Sequence, residues 1–306
     1  MSAHALELEK NWGIMTDIAV FTNLSQDHLD YFKTMEKYGC AKQRLFNRKF
    51  SKFAVLNVQD NFTKTIIKNI NIPFVTYGIN YPSTYCGVSI KRKNIGQTFR
   101  CVSTLFCENV ELQIDGEFNV LNALASIAVC DKLGVESCEI VKGLKQLASV
   151  DGRFNSYLID GIKFIIDFAH TPDSMKNVIN SARGLIDKNN KIISVFGCGG
   201  NRDKSKRAIM GSVASELSDY VILTTDNPRN ERVEDIIADI ERGIKNNNCE
   251  IIINREQAIR KAKFIAKAGD GVLILGKGME DYIEINNQKF KYSDREVLKR
   301  LEKMND

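Results

Sequence analysis

Beyond residue 150, five short runs rich in apolar residues recur with helical patterns between them: Phe164 to Phe168, Lys191 to Phe196, Tyr220 to Thr225, Glu250 to Ile253 and Val272 to Leu275. Few folds accept that rhythm. Parallel strands need a crossover of a dozen or more residues, usually a helix, and strands covered on both faces read as nearly continuous Val, Ile, Leu and Phe. A mostly parallel, doubly wound α/β sheet is therefore expected in this half. The segment Ser149-Val150-Asp151-Gly152-Arg153, where the rhythm changes, marks the boundary, giving expected domains of 1–149 and 150–306.

The first half has a different texture. Apolar strands are expected at Asp17 to Asn23, Phe53 to Asn57 and Phe74 to Tyr77, and a helix over Thr34 to Phe46 with Thr34 placed to cap it. Residues 84 to 114 carry short alternating runs with few helix formers, which predicts antiparallel strands, and Phe118 to Leu133 and Glu136 to Leu147 read as helices. The expectation is an α/β sheet with a β-rich insertion.

Composition excludes several classes. With 306 residues, 43% of them hydrophobic, the chain has ample material for two cores. No stretch approaches the ~20 apolar residues of a membrane span, and Glu7, Glu9 and Lys10 interrupt any leader-like run, so a cytoplasmic protein with no membrane partner is expected. The eight cysteines, Cys40, Cys86, Cys101, Cys107, Cys130, Cys138, Cys198 and Cys249, show no CxxC pair or zinc spacing and read as mostly buried thiols. A net charge of +5, spread along the chain, suits anionic small molecules and calls for no nucleic acid.

Chemistry concentrates in two segments that follow strands. Val195-Phe196 leads into Gly197-Cys198-Gly199-Gly200-Asn201-Arg202-Asp203-Lys204, and the run ending at Thr225 leads into Asp226-Asn227-Pro228-Arg229. Both would sit at carboxyl ends of strands, where open α/β sheets bind ligands. Arg202 and Arg229 could then face one crevice and grip a carboxylate or phosphate through paired hydrogen bonds. A dinucleotide is a weaker alternative, because Arg202 occupies the position of the third glycine of that fingerprint.

The run Val195 to Arg207 together with Asp226-Asn227-Pro228-Arg229-Asn230-Glu231 resembles the C-terminal domain of the Mur ligases. It is most similar to the branch that adds the third amino acid of the peptidoglycan precursor. In that branch the Asp-Asn-Pro-Arg form accompanies selection of meso-diaminopimelate over lysine. The charge logic agrees, since Arg229 would attract a distal carboxylate and repel a bare ammonium.

Other segments extend the resemblance. Thr22 to Tyr31 and Tyr38 to Phe46 resemble the family's central domain, which implies that His28 and Lys42, the latter as a carbamate, hold Mg²⁺, a cation that wants hard oxygen ligands. On their own, His28 reads as a turn histidine and Lys42 as a solvated helix lysine. Gly116 to Ala123 is similar to a nucleotide-contacting segment. There Asn119 and Asn122 fall on one helical face, although Asn119 also suits a helix cap. Gly152-Arg153 and Asp167 to Ser174 resemble elements that meet ATP, with Arg153 near phosphate and Asp167 near ribose; Phe168 stands where tyrosine is usual, and Thr171 or Asp173 suits a cap before Pro172.

Gly276-Lys277-Gly278-Met279-Glu280-Asp281-Tyr282 resembles a family loop with histidine at the Met279 position. Gly276 and Glu280 match diaminopimelate contacts, and Lys277 reads as an exposed loop lysine. Ser2 and Lys10 fall where the family contacts the UDP-sugar peptide.

The resemblance implies a partial Mur ligase central domain followed by a doubly wound, Rossmann-like C-terminal domain. It also implies ATP and Mg²⁺ as cofactors and UDP-N-acetylmuramoyl-L-alanyl-D-glutamate and meso-diaminopimelate as substrates. No G-x-x-x-x-G-K-[ST] run occurs in the chain, so the backbone cradle for ATP phosphates is missing from these residues and the chain alone is expected to be inactive. A fragment, a split protein completed by an N-terminal chain and a degenerate copy all fit that pattern. A non-catalytic diaminopimelate-binding module is the alternative function.

Overall fold

The computed structural model describes residues 1–93, 96–104, 106–147 and 150–303. The chain divides into two compact units, one of Met1–Leu24 and Tyr31–Ala148, the other of Ser25–Asp30 and Ser149–Asp306. The expected boundary at 149/150 abuts residues 148 and 149, which lie outside the described residues.

The first unit carries α1 (Ala3–Glu7), β1 (Thr16–Phe21), α2 (Leu29–Phe32, whose first two residues group with the second unit), α3 (Met35–Gln43), β2 (Ser51–Asn57), α4 (Thr63–Asn69) and β3 (Phe74–Ile79). It continues with β4 (Tyr85–Arg92), β5 (Gln97–Val102), β6 (Cys107–Leu112), α5 (Glu117–Lys132) and α6 (Ser137–Gln146). One six-stranded sheet runs β1-β2-β3-β4-β5-β6. Pairing is parallel from β1 to β4 and antiparallel from β4 to β6. The antiparallel strands expected at 84–114 are present, but they extend the main sheet rather than form a separate layer, because β4 pairs directly with β3.

Thr34 caps α3, its side chain accepting from the Lys37 N–H. α5 packs its Val120, Leu124 and Ile127 against Val55, Tyr77, Tyr85 and Phe99 of the sheet. The approach is close: a Cβ on Gly87 would lie 3.0 Å from Leu124. A second cluster of Phe21, Phe46, Ala54, Leu56 and Ile66 brings α4 onto the strands.

The second unit runs β7 (Asn155–Ile159), β8 (Ile162–Asp167), α7 (Pro172–Arg183), β9 (Ile192–Phe196), α8 (Ser205–Leu217), β10 (Tyr220–Leu223), α9 (Val233–Glu241), β11 (Cys249–Ile251) and α10 (Arg255–Ile265). β12 (Gly271–Leu275), the hairpin β13 (Tyr282–Ile285) and β14 (Gln288–Lys291), and α11 (Asp294–Lys303) complete it. Its sheet order is β11-β10-β9-β12-β8-β7, with five parallel strands and only β7 antiparallel. This is the doubly wound architecture expected from the alternation. β9 and β12 are buried at every position, as central parallel strands must be. Alternate residues Ile193, Val195, Val272 and Ile274 pack against Ala258, Ile259 and Ala262 of α10 and Val297, Leu298 and Leu301 of α11.

One local expectation fails and two alternatives left open by the sequence are decided. Among the eight cysteines only Cys101 and Cys198 are buried; Cys40, Cys107 and Cys138 are exposed, and all eight are free thiols. Helix α5 starts at Glu117 with Gly116 at the N-cap, so Asn119 lies inside the first turn and is not the cap. Thr171, and not Asp173, caps α7 through a capping box with Ser174, with Pro172 first in the helix. No helix among the described residues is long and apolar enough to cross a membrane.

Candidate amino-acid site at the strand ends of the second unit

Four strands of the second unit release their chains at the same edge of the sheet. β8 ends at Asp167, β9 gives way to Gly197, β10 to Thr224 and β12 to Gly276. These ends surround a cavity of about 340 Å³ whose walls include Gly199, Arg202, Asp226, Asn227, Arg229, Gly276 and Glu280. Arg202 and Arg229, 27 residues apart in sequence, thus line one cavity.

The walls are held by polar bonds between loops. The Gly200 N–H donates to the Asn227 carbonyl at 2.9 Å, the Asn201 N–H to Glu231 at 2.5 Å and the Asn230 N–H to the Asn201 side chain at 3.0 Å, lashing the 199–202 loop to the 226–231 loop. Beneath them Arg207, 1% exposed, donates to both Glu231 oxygens, to Asp239 and to the Gly199 carbonyl. Those hydrogen bonds from Arg207 outweigh burial and hold the Glu231 carboxyl down to about 2, against an ordinary 4.5.

A carboxyl depressed in the folded state stabilises fully above its unfolded value and loses that contribution as pH falls through its folded value. The Tm difference between wild type and Glu231→Gln is therefore expected to be largest above about pH 4.5 and to shrink steadily toward pH 2. Thermal unfolding across that window is the check. A constant difference would mean that the charge of Glu231 contributes nothing.

Lys277 corrects an expectation. It is fully buried, and its ammonium donates to Asn227 Oδ1 at 3.0 Å and Glu280 Oε2 at 3.1 Å. Asn227 in turn donates to the same Glu280 oxygen at 2.7 Å. A lysine can be buried when its charge is paired and hydrogen-bonded, and here it ties the Asp226-Asn227-Pro228 turn to the Gly276–Glu280 loop. Gly276 has φ of 107°, and a Cβ there would stand 2.5 Å from the Asp226 carboxylate, so only glycine fits.

The 25–30 segment contributes Asp27 and His28 to the same cavity, with Phe168, His170 and Lys206. The Asp27 carboxylate lies 3.0 Å from Lys206 Nζ, 3.5 Å from His170 Nε2 and 3.6 Å from His28 Nε2. Burial alone would raise its pKa, yet His170 and Lys206 outweigh burial and hold the group well below the usual carboxylate range. His28 itself has φ of 58°, a left-handed backbone that few non-glycine residues adopt.

Sequence reasoning assigned no role to Asp27, His170 or Lys206, although each stands inside a quoted motif. Glu284 and Tyr282 belong to the unforeseen hairpin, whose signal was the alternating Tyr282-Ile283-Glu284-Ile285 followed by Asn286-Asn287. Both asparagines carry positive φ, as a tight hairpin turn requires.

The remaining site residues lie elsewhere. Arg153 stacks its guanidinium 5.1 Å from the Phe168 ring, beside a shallower cavity formed with Gly152, Lys277 and Met279. Asp167 spends its carboxylate on the Phe154 and Ala169 N–H groups at 2.8 and 2.7 Å; burial raises its pKa despite those bonds. In the first unit, Asn122 donates to Asn119, which donates to the Asp115 carbonyl. Ser2 caps α1, Lys10 is exposed near the end of that helix, and Pro228 is buried in its turn.

Lys42, also in the first unit, donates to the Asn23 carbonyl at 3.1 Å beside the Tyr38 ring. As an ammonium it offers no oxygen, and the described residues hold no cluster of three or more His, Cys, Asp or Glu side chains suited to a metal ion.

Fold and cavity define a two-unit α/β protein whose second unit presents basic and acidic groups at the carboxyl edge of a parallel sheet. The profile of the Mur ligase middle domain matches residues 1–130, and that of the Mur ligase glutamate ligase domain matches residues 152–278. The chain belongs to the Mur ligase family. It is 38% identical over 303 residues to a UDP-N-acetylmuramoyl-L-alanyl-D-glutamate–2,6-diaminopimelate ligase of Clostridium acetobutylicum and 41% identical over 309 residues to that of Bacillus cereus. These alignments cover 97% and 98% of this chain and 62% of each relative. A solved structure of a UDP-N-acetylmuramoyl-L-alanyl-D-glutamate–2,6-diaminopimelate ligase matches all of this chain and 64% of its own, at 34% identity and a TM-score of 0.63. A MurF ligase from Thermotoga maritima in complex with ADP, 19% identical with a TM-score of 0.69 over 90% of this chain and 61% of its own, shares the fold.

Proposed function

We propose that the second unit is the amino-acid-accepting part of an ATP-dependent amide-bond ligase that adds meso-diaminopimelate to UDP-N-acetylmuramoyl-L-alanyl-D-glutamate in peptidoglycan precursor synthesis. The observation that carries this reading is the cavity itself, whose lining includes Arg202 and Arg229 together with Asp226 and Glu280. A lining of both signs suits the distal carboxylate and ammonium of a diamino diacid, and lysine would leave the arginines unmatched. The similarity to diaminopimelate-adding ligases supports the same choice.

In this reading Arg202 and Arg229 receive the distal carboxylate, and Glu280 with Asp226 receives the ammonium. Asn227, Pro228 and Gly276 shape the wall, and the loops exclude water from the bound end-group. ATP is proposed to engage Arg153, Asp167, Asn119 and Asn122, and the UDP-sugar peptide Ser2 and Lys10. Magnesium would require His28 together with Lys42 in its carbamate form. Within that ligase reading, the part assigned to these residues is amino-acid capture.

Calorimetric titration of the purified chain tests the pocket. Binding of meso-diaminopimelate is expected to exceed that of L-lysine, and Arg229→Ala is expected to cost roughly tenfold to a hundredfold, as loss of a charged hydrogen bond does. Indifference of the wild type to both amino acids would refute the reading.

A further inference from the structure

We infer that Glu284, on the β13–β14 hairpin, is the positioning residue that aims the Arg229 guanidinium into the cavity, and so sets preference for a carboxylate-bearing ligand. The inference rests on the proposed role of Arg229 in receiving that carboxylate. Three independent features of the structure converge on it.

The first is backbone conformation. Arg229 has φ of 52°, a left-handed conformation unfavourable for a long side chain, which persists only where neighbours over-determine it. The second is what over-determines it. The Arg229 N–H donates to the Glu284 carbonyl at 3.0 Å and its own carbonyl accepts from the Asn286 N–H at 2.8 Å, so the backbone pairs with the hairpin as an isolated bridge. The third is the side chain: Arg229 Nε donates to Glu284 Oε2 at 3.0 Å and Nη1 donates to the Gly200 carbonyl at 2.8 Å.

With one edge of the fork held by Glu284 and Nη1 by Gly200, the rotation of the guanidinium is fixed, and a ligand carboxylate meets a cation that has already given up its rotamer entropy. Preorganised arginine loses less on binding than a swinging one. Glu284 also anchors its own strand to the recognition turn, its N–H donating to Asn227 Oδ1 at 2.9 Å.

The test compares the full chain with Glu284→Ala and Glu284→Gln. Each is titrated calorimetrically with meso-diaminopimelate and with L-lysine, and the arginine Nε–H resonances are followed by NMR in the absence of ligand. Glutamine keeps an oxygen that accepts from Nε; alanine does not. Glu284→Ala is expected to lose roughly tenfold or more in meso-diaminopimelate affinity with lysine binding unchanged, while Glu284→Gln keeps most of the affinity. The Arg229 Nε–H signal is expected to be protected in wild type and Glu284→Gln and to disappear in Glu284→Ala.

An alanine variant with wild-type preference overturns the inference, and so does a glutamine variant as weak as alanine, which would make charge and not aim the operative property. Should wild type bind neither amino acid, the pocket reading falls, and the inference that Glu284 orients Arg229 is still decided by the NMR signal. Equal protection in all three proteins would overturn it.

Discussion

Arg255→Met is expected to destabilise the second unit by about 3–5 kcal/mol, the usual cost of breaking a fully buried ion pair from one side. The Arg255 and Asp294 side chains are both 0% exposed and share two hydrogen bonds of 2.8 Å. The guanidinium also donates to the carbonyls of Leu275 at 2.9 Å and Thr225 at 3.4 Å, and the Tyr292 hydroxyl donates to Asp294 at 3.0 Å. Methionine would leave a carboxylate in the core without its guanidinium, met by the Tyr292 hydroxyl, and take the guanidinium donor from two carbonyls. Urea unfolding followed by circular dichroism reads the loss as a lower midpoint with an unchanged slope. Arg255→Met with Asp294→Leu is expected to recover part of it, because no buried charge is then unmatched. A loss below about 1 kcal/mol for the single variant would show that the core accommodates the lone carboxylate, contrary to the desolvation argument.

The same carbonyls explain why this pair matters near the cavity. Thr225 immediately precedes Asp226 and Leu275 immediately precedes Gly276, so Arg255 fixes the points where two of the recognition loops leave the sheet.

Gly200→Ala is the second large effect. An added Cβ would overlap the Pro228 carbonyl oxygen and lie 2.7 Å from its carbon and 3.3 Å from Glu231 Cβ. Neither neighbour is the far end of a flexible chain, so the 199–202 and 226–231 loops must move apart. Forced packing of this kind costs about 1–3 kcal/mol. Function is expected to suffer more than stability, because the Gly200 carbonyl is the acceptor that holds Arg229 Nη1 and the Gly200 N–H bonds Asn227. Calorimetry should show more than tenfold weaker meso-diaminopimelate binding. Gly143→Ala, at a helical site with nothing within 4 Å of the added carbon, serves as the neutral control. Unchanged binding in Gly200→Ala would mean that the loops tolerate separation and that their lashing is not what shapes the cavity.

Much of this was legible in the chain before any coordinate. Val195-Phe196 and Val272 to Leu275 read as buried parallel strands because a strand covered on both faces must be apolar at every position, and that constraint is local. Thr34 and Pro172 announced helix starts through capping chemistry confined to one turn. The glycine-rich and Asp-Asn-Pro-Arg segments could be set at strand ends because each follows its strand directly.

Less legible were features whose cause lies across the fold. The edge strand β7 escaped notice because Asn155-Ser156-Tyr157 is half polar, as a strand with one open side can be. Lys277 looked like an exposed lysine because nothing beside it in sequence neutralises its charge except Glu280; its other partner, Asn227, is 50 residues away. The cysteines looked buried from residue type alone, yet six of the eight reach the surface to some degree. Asn119 and Asn122 were placed on one face by helical spacing, but only packing shows that their amides bond to each other.

The sequence alone, then, determined the alternation of parallel strands and helices in the second unit and the loops that carry its arginines, since periodicity, capping and turn chemistry act over a few residues. Tertiary structure decided which charges meet. Arg229 and Glu284 are 55 positions apart, and Asp27 and Lys206 are 179 apart. No local pattern encodes such pairs, because their energy exists only once the sheet has brought its strand ends together and excluded enough water for two charges to hold one another in place.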